Sequence, residues 1–182
     1  MKDIPIKTVV AIGIGAALFF LIGRFISIPT GIPNTNIQLQ YAVLALFAVL
    51  YGPLAGFLIA FLGSTLIDFT AYGSPWWSWI LAAGVFGLIL GFVGKKLRIE
   101  SGIYTQKDII LTIVGTLVGV VIAWGILAPI GDIVIYSEPS SKVFTQGLVA
   151  GLSNAITVAL AGTALLAIYA KTRVKSGSLT KD

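Results

Sequence analysis

Long charge-free stretches alternate with short charged segments along the chain. Asp, Glu, Lys and Arg are absent from five stretches, at residues 8–23, 25–67, 69–94, 109–131 and 143–170. A helix needs roughly 20 apolar residues to cross about 30 Å of hydrocarbon. The stretch 25–67 is longer, and turn residues interrupt it between 29 and 36 and again at Gly52-Pro53. The pattern therefore predicts six transmembrane helices, at about 8–28, 37–52, 53–72, 76–95, 108–131 and 143–170.

The charged segments decide between six spans and five, the alternative in which residues 37–72 form one long helix. Cytoplasmic loops of membrane proteins carry an excess of Lys and Arg. With six spans and both termini in the cytoplasm, ten of the 12 basic residues lie inside, and only Arg24 and Lys142 lie outside. Five spans would place the basic segment 95–107 outside, so the six-span topology is predicted.

The composition agrees with a membrane protein. The 182 residues are 57% hydrophobic and 10% charged, with a net charge of +5 and no Cys or His. A soluble domain carries about 25% charged residues, so these are too few to cover a water-facing surface. The predicted fold class is all-α: a polytopic six-helix bundle, with one membrane domain over residues 1–175 and a flexible polar tail at 176–182.

Several kinds of chemistry are excluded. Without Cys or His, the chain has neither a thiol nucleophile nor a histidine base. The run from Gly91 to Lys95 has the wrong spacing for a phosphate-binding P-loop. The sequence therefore predicts a protein that is not an enzyme, with no metal site and no cofactor.

Polar side chains are distributed unevenly between the two halves of the predicted bundle. Threonines are the main polar residues of the cytoplasmic half, whereas carboxamides, carboxylates and most aromatic polar groups fall in the extracellular half. A channel needs polar groups along its whole length, while a pocket needs them near its mouth and floor. The candidate substrate-binding residues in this half are Asn36, Gln38, Gln40, Asp68, Tyr72, Trp124, Gln146 and Asn154.

Each candidate also has a structural interpretation. Asp68 is either an interfacial residue that touches water or Arg24, or part of the pocket lining. Gln146 and Asn154 share one helical stripe with Ala150, and contact with a ligand competes with interhelical hydrogen bonding there.

Two further groups of candidate residues also have both a ligand-binding and a structural interpretation. Three carboxamides alternate before the second helix, at Asn36, Gln38 and Gln40. They either form hydrogen bonds to the edge of a heterocyclic ligand or cap that helix. Trp124 lies below the membrane interface, where stacking on a flat ligand competes with core packing.

The first predicted helix is rich in small residues. Ala11 and Gly15, and likewise Gly13 and Ala17, are four residues apart and lie on neighbouring faces. Such pairs let another helix backbone approach closely. An external helix partner is therefore one prediction for this helix, and internal packing is the other.

Several segments resemble a known family. They are the small-residue first helix and residues 33–41 (PNTNIQLQY), 52–56 (GPLAG), 72–77 (YGSPWW), 128–132 (APIGD), 146–151 (QGLVAG) and 170–178 (AKTRVKSGS). Together they resemble substrate-binding S components of energy-coupling factor (ECF) transporters, in the riboflavin-type superfamily. The resemblance implies a subunit of a bacterial plasma-membrane importer that captures a vitamin outside the cell.

The resemblance also implies partners. They are a membrane coupling subunit, which docks on the first helix at Ala11, Gly15 and neighbouring residues, two ATPase subunits and the lipid bilayer, with no nucleic acid. The first outer loop would cap the ligand above Trp124, Gln146 and Asn154. The group suggests hydroxymethylpyrimidine, a thiamine precursor, and riboflavin or pyridoxine as alternatives. The rival hypothesis is a stand-alone oligomeric channel or facilitator for a small neutral solute.

Overall fold

The computed structural model describes residues 5–173, so the tail predicted at 176–182 lies outside the described residues. Six helices form one bundle: α1 Ile6–Phe25, α2 Gln40–Tyr51, α3 Pro53–Tyr72, α4 Trp77–Gly94, α5 Gln106–Tyr136 and α6 Ser140–Thr172. Two of them contain a π-helical segment, Val121–Leu127 in α5 and Val158–Gly162 in α6. The strands β1 Ile28–Pro29 and β2 Asn36–Ile37 pair antiparallel in the loop before α2.

The predicted all-α membrane fold is confirmed. Five helices are long and apolar enough to cross a bilayer, namely α1, α3, α4, α5 and α6. Helix α2 has 12 residues and extends about 18 Å, which is short of the roughly 30 Å of hydrocarbon. The second predicted helix started too early, because residues 36 and 37 form β2 instead.

The chain reverses direction at Gly52, between α2 and α3. Gly52 has φ of 90°, a conformation that glycine adopts readily, and Pro53 occupies the first turn of α3, where its missing N–H costs little. The packing around α1 shows the reversal. Gly23 lies against Gln40 and Ile67, whereas Gly15, two turns earlier, lies against Phe47 and Ile59. Helices α2 and α3 are therefore antiparallel and do not form one long helix.

The two ends of the bundle differ in character. At one end, Val49 packs with Ile99, Leu166 and Ala170, and Arg173 lies 3.5 Å from Glu100. We call this the basic end, because the described basic residues near it are Lys7, Lys95, Lys96, Arg98, Lys107, Lys171 and Arg173. The opposite end carries the loop 26–39, and we call it the polar end.

Aromatic side chains fill the centre of the bundle. Tyr41 packs edge-to-face against Phe19, Phe86 and Trp124, with ring centroids 5.3, 5.7 and 5.2 Å away. Phe86 and Trp124 also contact each other at 4.8 Å. Such pairs contribute beyond their area of burial. The cluster gives the polar end a rigid floor.

Three buried threonine hydroxyls in the half of the bundle toward the basic end bond within their own helices. Thr112 donates to the carbonyl of Asp108, and Thr116 donates to that of Thr112, each at 2.8 Å. Thr163 donates to Ala159 in the same way, at 2.5 Å. Their bonding capacity is used locally, so these buried hydroxyls do not form a polar path across the helices.

Candidate functional site

A cavity opens among the helices at the polar end. Its larger part, the chamber, has a volume of about 420 Å³, and a recess of about 70 Å³ adjoins it on the side of the aromatic cluster. Both parts share Asn34, Asn36, Gln38, Ile67, Asp68 and Trp79 in their linings. The chamber lies within the range of roughly 300–1,000 Å³ that is typical of small-molecule sites.

Seven of the eight predicted substrate-binding residues line this cavity. Asn36, Gln38 and Asp68 border both parts, Gln40 and Trp124 border the recess, and Tyr72 and Gln146 border the chamber. Asn154 lies outside the lining, one helical turn beyond Ala150, which borders the recess. The structure therefore brings residues from the loop 26–39, α2, α3, α5 and α6 to one place.

The loop 26–39 covers part of the cavity and is tied to α6. The side-chain amide of Gln146 donates a 2.9 Å hydrogen bond to the carbonyl of Pro33. Within the loop, Thr30 Oγ1 donates to the Thr35 carbonyl at 2.5 Å. The side-chain NH₂ group of Gln146 thus bonds to a loop carbonyl and not to another helix or to a ligand. This hydrogen bond connects the covering loop to the bundle.

The carboxamides before α2 do not cap that helix. Leu39 is the N-cap residue of α2, and no side chain makes a capping hydrogen bond there. Gln40 is 1% exposed, and its Oε1 has no hydrogen-bond partner in the described structure. Its carboxamide therefore belongs to the recess.

Asn154 is fully buried, and within residues 5–173 neither its Oδ1 nor its Nδ2 has a partner. The predicted interhelical hydrogen bond is therefore not observed. Leaving a buried polar group unpaired costs about 1–3 kcal/mol, so natural structures satisfy such groups with protein, water or ligand. Near the recess, Asn154 and Gln40 are the two buried amides whose side chains have unused hydrogen-bonding atoms.

Asp68 lies where the chamber meets the recess. Its Oδ2 accepts a 2.9 Å hydrogen bond from the backbone N–H of Trp76. The guanidinium of Arg24 instead lies 5.5 Å from the ring centroid of Phe25. Among the described residues, no salt bridge joins Arg24 to Asp68. Asp68 is thus a pocket-lining carboxylate without a basic partner there.

A second carboxylate, Asp132, was not among the predicted site residues. It is 2% exposed and accepts hydrogen bonds from the indole N–H groups of Trp76 and Trp79, at 2.8 and 2.7 Å, and from the hydroxyl of Ser78. Asp132 and both tryptophans line the chamber. The signal in the sequence was the tryptophan-rich start of α4, because an indole N–H that is partly withdrawn from water usually has a hydrogen-bond acceptor.

Trp124 belongs to the π-helical segment of α5. Pro129 follows it by five residues, and a proline inside a helix removes one backbone hydrogen bond. The wider π turn precedes this interruption, and such segments are frequent at functional sites. On the other side, a Cβ at Gly147 would collide with the Trp124 carbonyl oxygen. Glycine at 147 therefore lets α6 approach α5 closely beside Trp124, whose side chain borders the recess.

The small residues of α1 point in two directions. Ala11 is 4% exposed and Gly15 is buried, and a Cβ at Gly15 would lie 2.6 Å from the Ile59 side chain. Both residues therefore pack inside the bundle, and their predicted part in docking a coupling subunit stays a prediction. Gly13 and Ala17 are exposed, and a Cβ at Gly13 would meet nothing within 4 Å.

Within the described part of the chain, no group of three or more Asp, Glu, His or Cys residues could hold a metal ion. The fold defines a polytopic membrane protein, and the cavity at its polar end has the volume of a small-molecule site.

Comparison with known proteins assigns the family. A family model described as "ECF-type riboflavin transporter, S component" matches residues 3–171. The chain is 59% identical to a "UPF0397 protein" of Lactococcus lactis subsp. cremoris (strain NZ9000) over 182 residues, with all of both chains covered. It is 56% identical to a relative of the same description from Streptococcus agalactiae serotype Ia and 52% identical to one from Enterococcus faecalis (strain V583), again over the full length of both.

The chain therefore belongs to the S-component family of ECF-type transporters, as the resemblance in its sequence had indicated. Such subunits bind substrate in the membrane for an importer and are not a class of enzymes. The five apolar helices and the bacterial relatives make this chain a multi-pass protein of the bacterial plasma membrane.

Proposed function

We propose that this chain captures a small heteroaromatic vitamin or vitamin precursor in the cavity at the polar end. The observation that carries the proposal is the cavity itself, a chamber of about 420 Å³ bounded by aromatic rings, carboxamides and a carboxylate. Apolar walls with a few placed polar groups are the usual make-up of such sites. The basic end would face the cytoplasm, because Lys and Arg accumulate there, and the cavity would then open to the outside.

The cavity lining narrows the choice of ligand. The described basic residues that border the chamber are Arg24 and Lys142, and Lys142 is already paired with Glu138 at 2.7 Å. This is little positive charge for a polyphosphate. Hydroxymethylpyrimidine is the first compound to test, followed by riboflavin and pyridoxine.

Uptake would require an ECF membrane coupling subunit and two ATPase subunits, since the sequence contains no P-loop. We assign the docking surface on α1 to Gly13 and Ala17, which are four residues apart and both exposed. A coupling-subunit helix could approach closely along this pair. Ala11 and Gly15 would support it from inside, by packing α1 against α3.

The alternative, a stand-alone channel, has less support. It needs polar groups at every depth, whereas three buried threonines toward the basic end, Thr112, Thr116 and Thr163, bond to their own helices. The aromatic cluster around Tyr41 also lies across the middle of the bundle.

Ligand binding can be measured on the purified protein without ATP. Trp79 and Trp124 line the recess, so a bound aromatic compound should quench tryptophan emission. A panel of B vitamins and their precursors should include a compound that binds at micromolar concentration or below. Transport in liposomes without any ATPase, together with no binding in the panel, would favour the channel and refute the proposal.

Docking can be tested separately from binding. Gly13→Leu fills an open surface position, so we expect uptake to be lost while ligand affinity stays unchanged. Ala161→Leu is the matched control, because Ala161 is exposed on α6, away from α1. Full uptake by Gly13→Leu and by Ala17→Leu would show that this face does not dock.

A further inference from the structure

We propose that the site recognises an organic cation, such as a protonated amine attached to an aromatic ring, and that Asp68 provides its counter-charge. This inference rests on the proposed function and narrows the class of substrate. It follows from the balance of charges around the chamber and from the unpaired oxygen atoms in the recess.

The chamber holds more negative than positive charge. Its acidic residues are Asp68, Asp132 and Glu138, and its basic residues are Arg24 and Lys142. Lys142 and Glu138 neutralise each other in a 2.7 Å ion pair. Two carboxylates then remain against one guanidinium, so the charges around the chamber favour a positively charged ligand.

The two remaining carboxylates are held differently. Asp132 is enclosed by three donors, namely two indoles and the hydroxyl of Ser78, so each of its oxygens already accepts at least one hydrogen bond. It acts as a fixed negative charge in the wall. Asp68 accepts one hydrogen bond from the Trp76 backbone through Oδ2, and within residues 5–173 its Oδ1 accepts none. Asp68 is the carboxylate that has an oxygen available for a ligand.

A second observation points the same way. Gln40 lines the recess beside Asp68, is 1% exposed, and has a buried Oε1 without a partner. A carbonyl oxygen and a carboxylate oxygen both accept hydrogen bonds and donate none. A ligand that carries N–H groups would satisfy both, and a charged N–H donor makes the stronger bond to a carboxylate.

The walls favour a cation as well. Trp79 borders both parts of the cavity, Trp124 borders the recess and Tyr72 borders the chamber. The faces of aromatic rings attract cations, and the attraction is larger where water is excluded. A flat ring with an attached ammonium group could therefore stack on a tryptophan and pair with Asp68 at the same time.

The test uses pairs of compounds that differ at a single substituent, which is charged in only one of them. Hydroxymethylpyrimidine and its aminomethyl analogue form one pair, and pyridoxine and pyridoxamine form another, with an uncharged alcohol and a protonated amine at the same position. Binding to the purified full chain is measured by tryptophan quenching and calorimetry. We expect the amine of at least one pair to bind tenfold or more tightly than its alcohol.

Asp68→Asn should abolish this preference while keeping an oxygen for the Trp76 N–H. Glu100→Gln removes the same charge at the basic end, where Glu100 is exposed, and should leave the preference unchanged. If an alcohol, riboflavin or anionic pantothenate binds as tightly as the amines, or if Asp68→Asn keeps the preference, the cation assignment is overturned and the receptor role stands. If no compound in the panel binds, the receptor role fails and this inference fails with it.

Discussion

Replacing Asp132 with Asn tests how the wall of the cavity is built. In the wild type, Oδ1 accepts from the indole of Trp76 and from Ser78, and Oδ2 accepts from the indole of Trp79. The amide keeps one oxygen and puts an NH₂ group in place of the other. If that oxygen stays with Trp76 and Ser78, the Trp79 N–H faces another donor and loses its acceptor.

The size of the effect follows from this loss. An unsatisfied buried donor costs about 1–3 kcal/mol, and hydrogen bonds to charged groups contribute about 1.5–3 kcal/mol. We therefore expect Asp132→Asn to lower the free energy of unfolding by about 2–3 kcal/mol, which is roughly a 30- to 150-fold change in the unfolding equilibrium constant. Asp132→Ala removes the acceptors of all three donors and should cost more. Because Trp79 lines both parts of the cavity, ligand affinity should fall in both variants.

The assay is reversible unfolding in mixed micelles with increasing SDS, followed by tryptophan emission. Glu100→Gln serves as the control, because its 3.5 Å pair with Arg173 is exposed and such pairs contribute about 0–1 kcal/mol. An Asp132→Asn protein that unfolds at the same SDS fraction as wild type would refute the reasoning. It would mean that the indoles find other acceptors once the carboxylate is gone.

Three further substitutions test other parts of the site and bundle. Gln146→Leu removes the 2.9 Å hydrogen bond to the Pro33 carbonyl and should weaken ligand binding about two- to tenfold, since one hydrogen bond contributes about 0.5–1.5 kcal/mol. Calorimetry would measure this, with Thr145→Val, a change at an exposed position, as the control. Asn154→Leu should leave the ligand-free protein equally stable or more stable, yet reduce ligand affinity, and a loss of stability in SDS unfolding would show that Asn154 has a protein partner. Gly15→Leu should lower stability, because its side chain would overlap Ile59; unchanged SDS unfolding would contradict the inward orientation of this face.

Local features of the sequence were sufficient for most of the helices. Each long apolar stretch contains at least one helix, because in a bilayer the backbone must bond within the segment. The reversal between α2 and α3 was readable from Gly52-Pro53, since a glycine at positive φ followed by a proline ends one helix and starts the next. The start of α2 could not be predicted from the sequence, because the pairing of residues 36 and 37 with residues 28 and 29 depends on the loop as a whole.

The residues that line the cavity could also be predicted in part from the sequence. The uneven distribution of carboxamides and carboxylates placed the cavity at one end of the bundle, and seven of the eight candidates do border it. The hydrogen-bond partners of these polar side chains could not be predicted from the sequence. Gln146 bonds to a loop carbonyl 113 positions earlier in the chain, and Asp132 bonds to indoles 53 and 56 positions earlier. Such pairs form only when helices distant in sequence meet, and no local pattern encodes that meeting.

The sequence by itself determined that the chain is a membrane bundle, that α2 and α3 separate at Gly52-Pro53, and which end carries the polar groups. These properties depend on hydrophobicity, turn chemistry and charge, which are local. Only the tertiary structure decided which face of α1 looks inward, with Gly15 inside and Gly13 outside. The physical reason is that lipid and protein core are both apolar, so the hydrophobic pattern of a membrane helix does not distinguish the side that packs from the side that faces lipid.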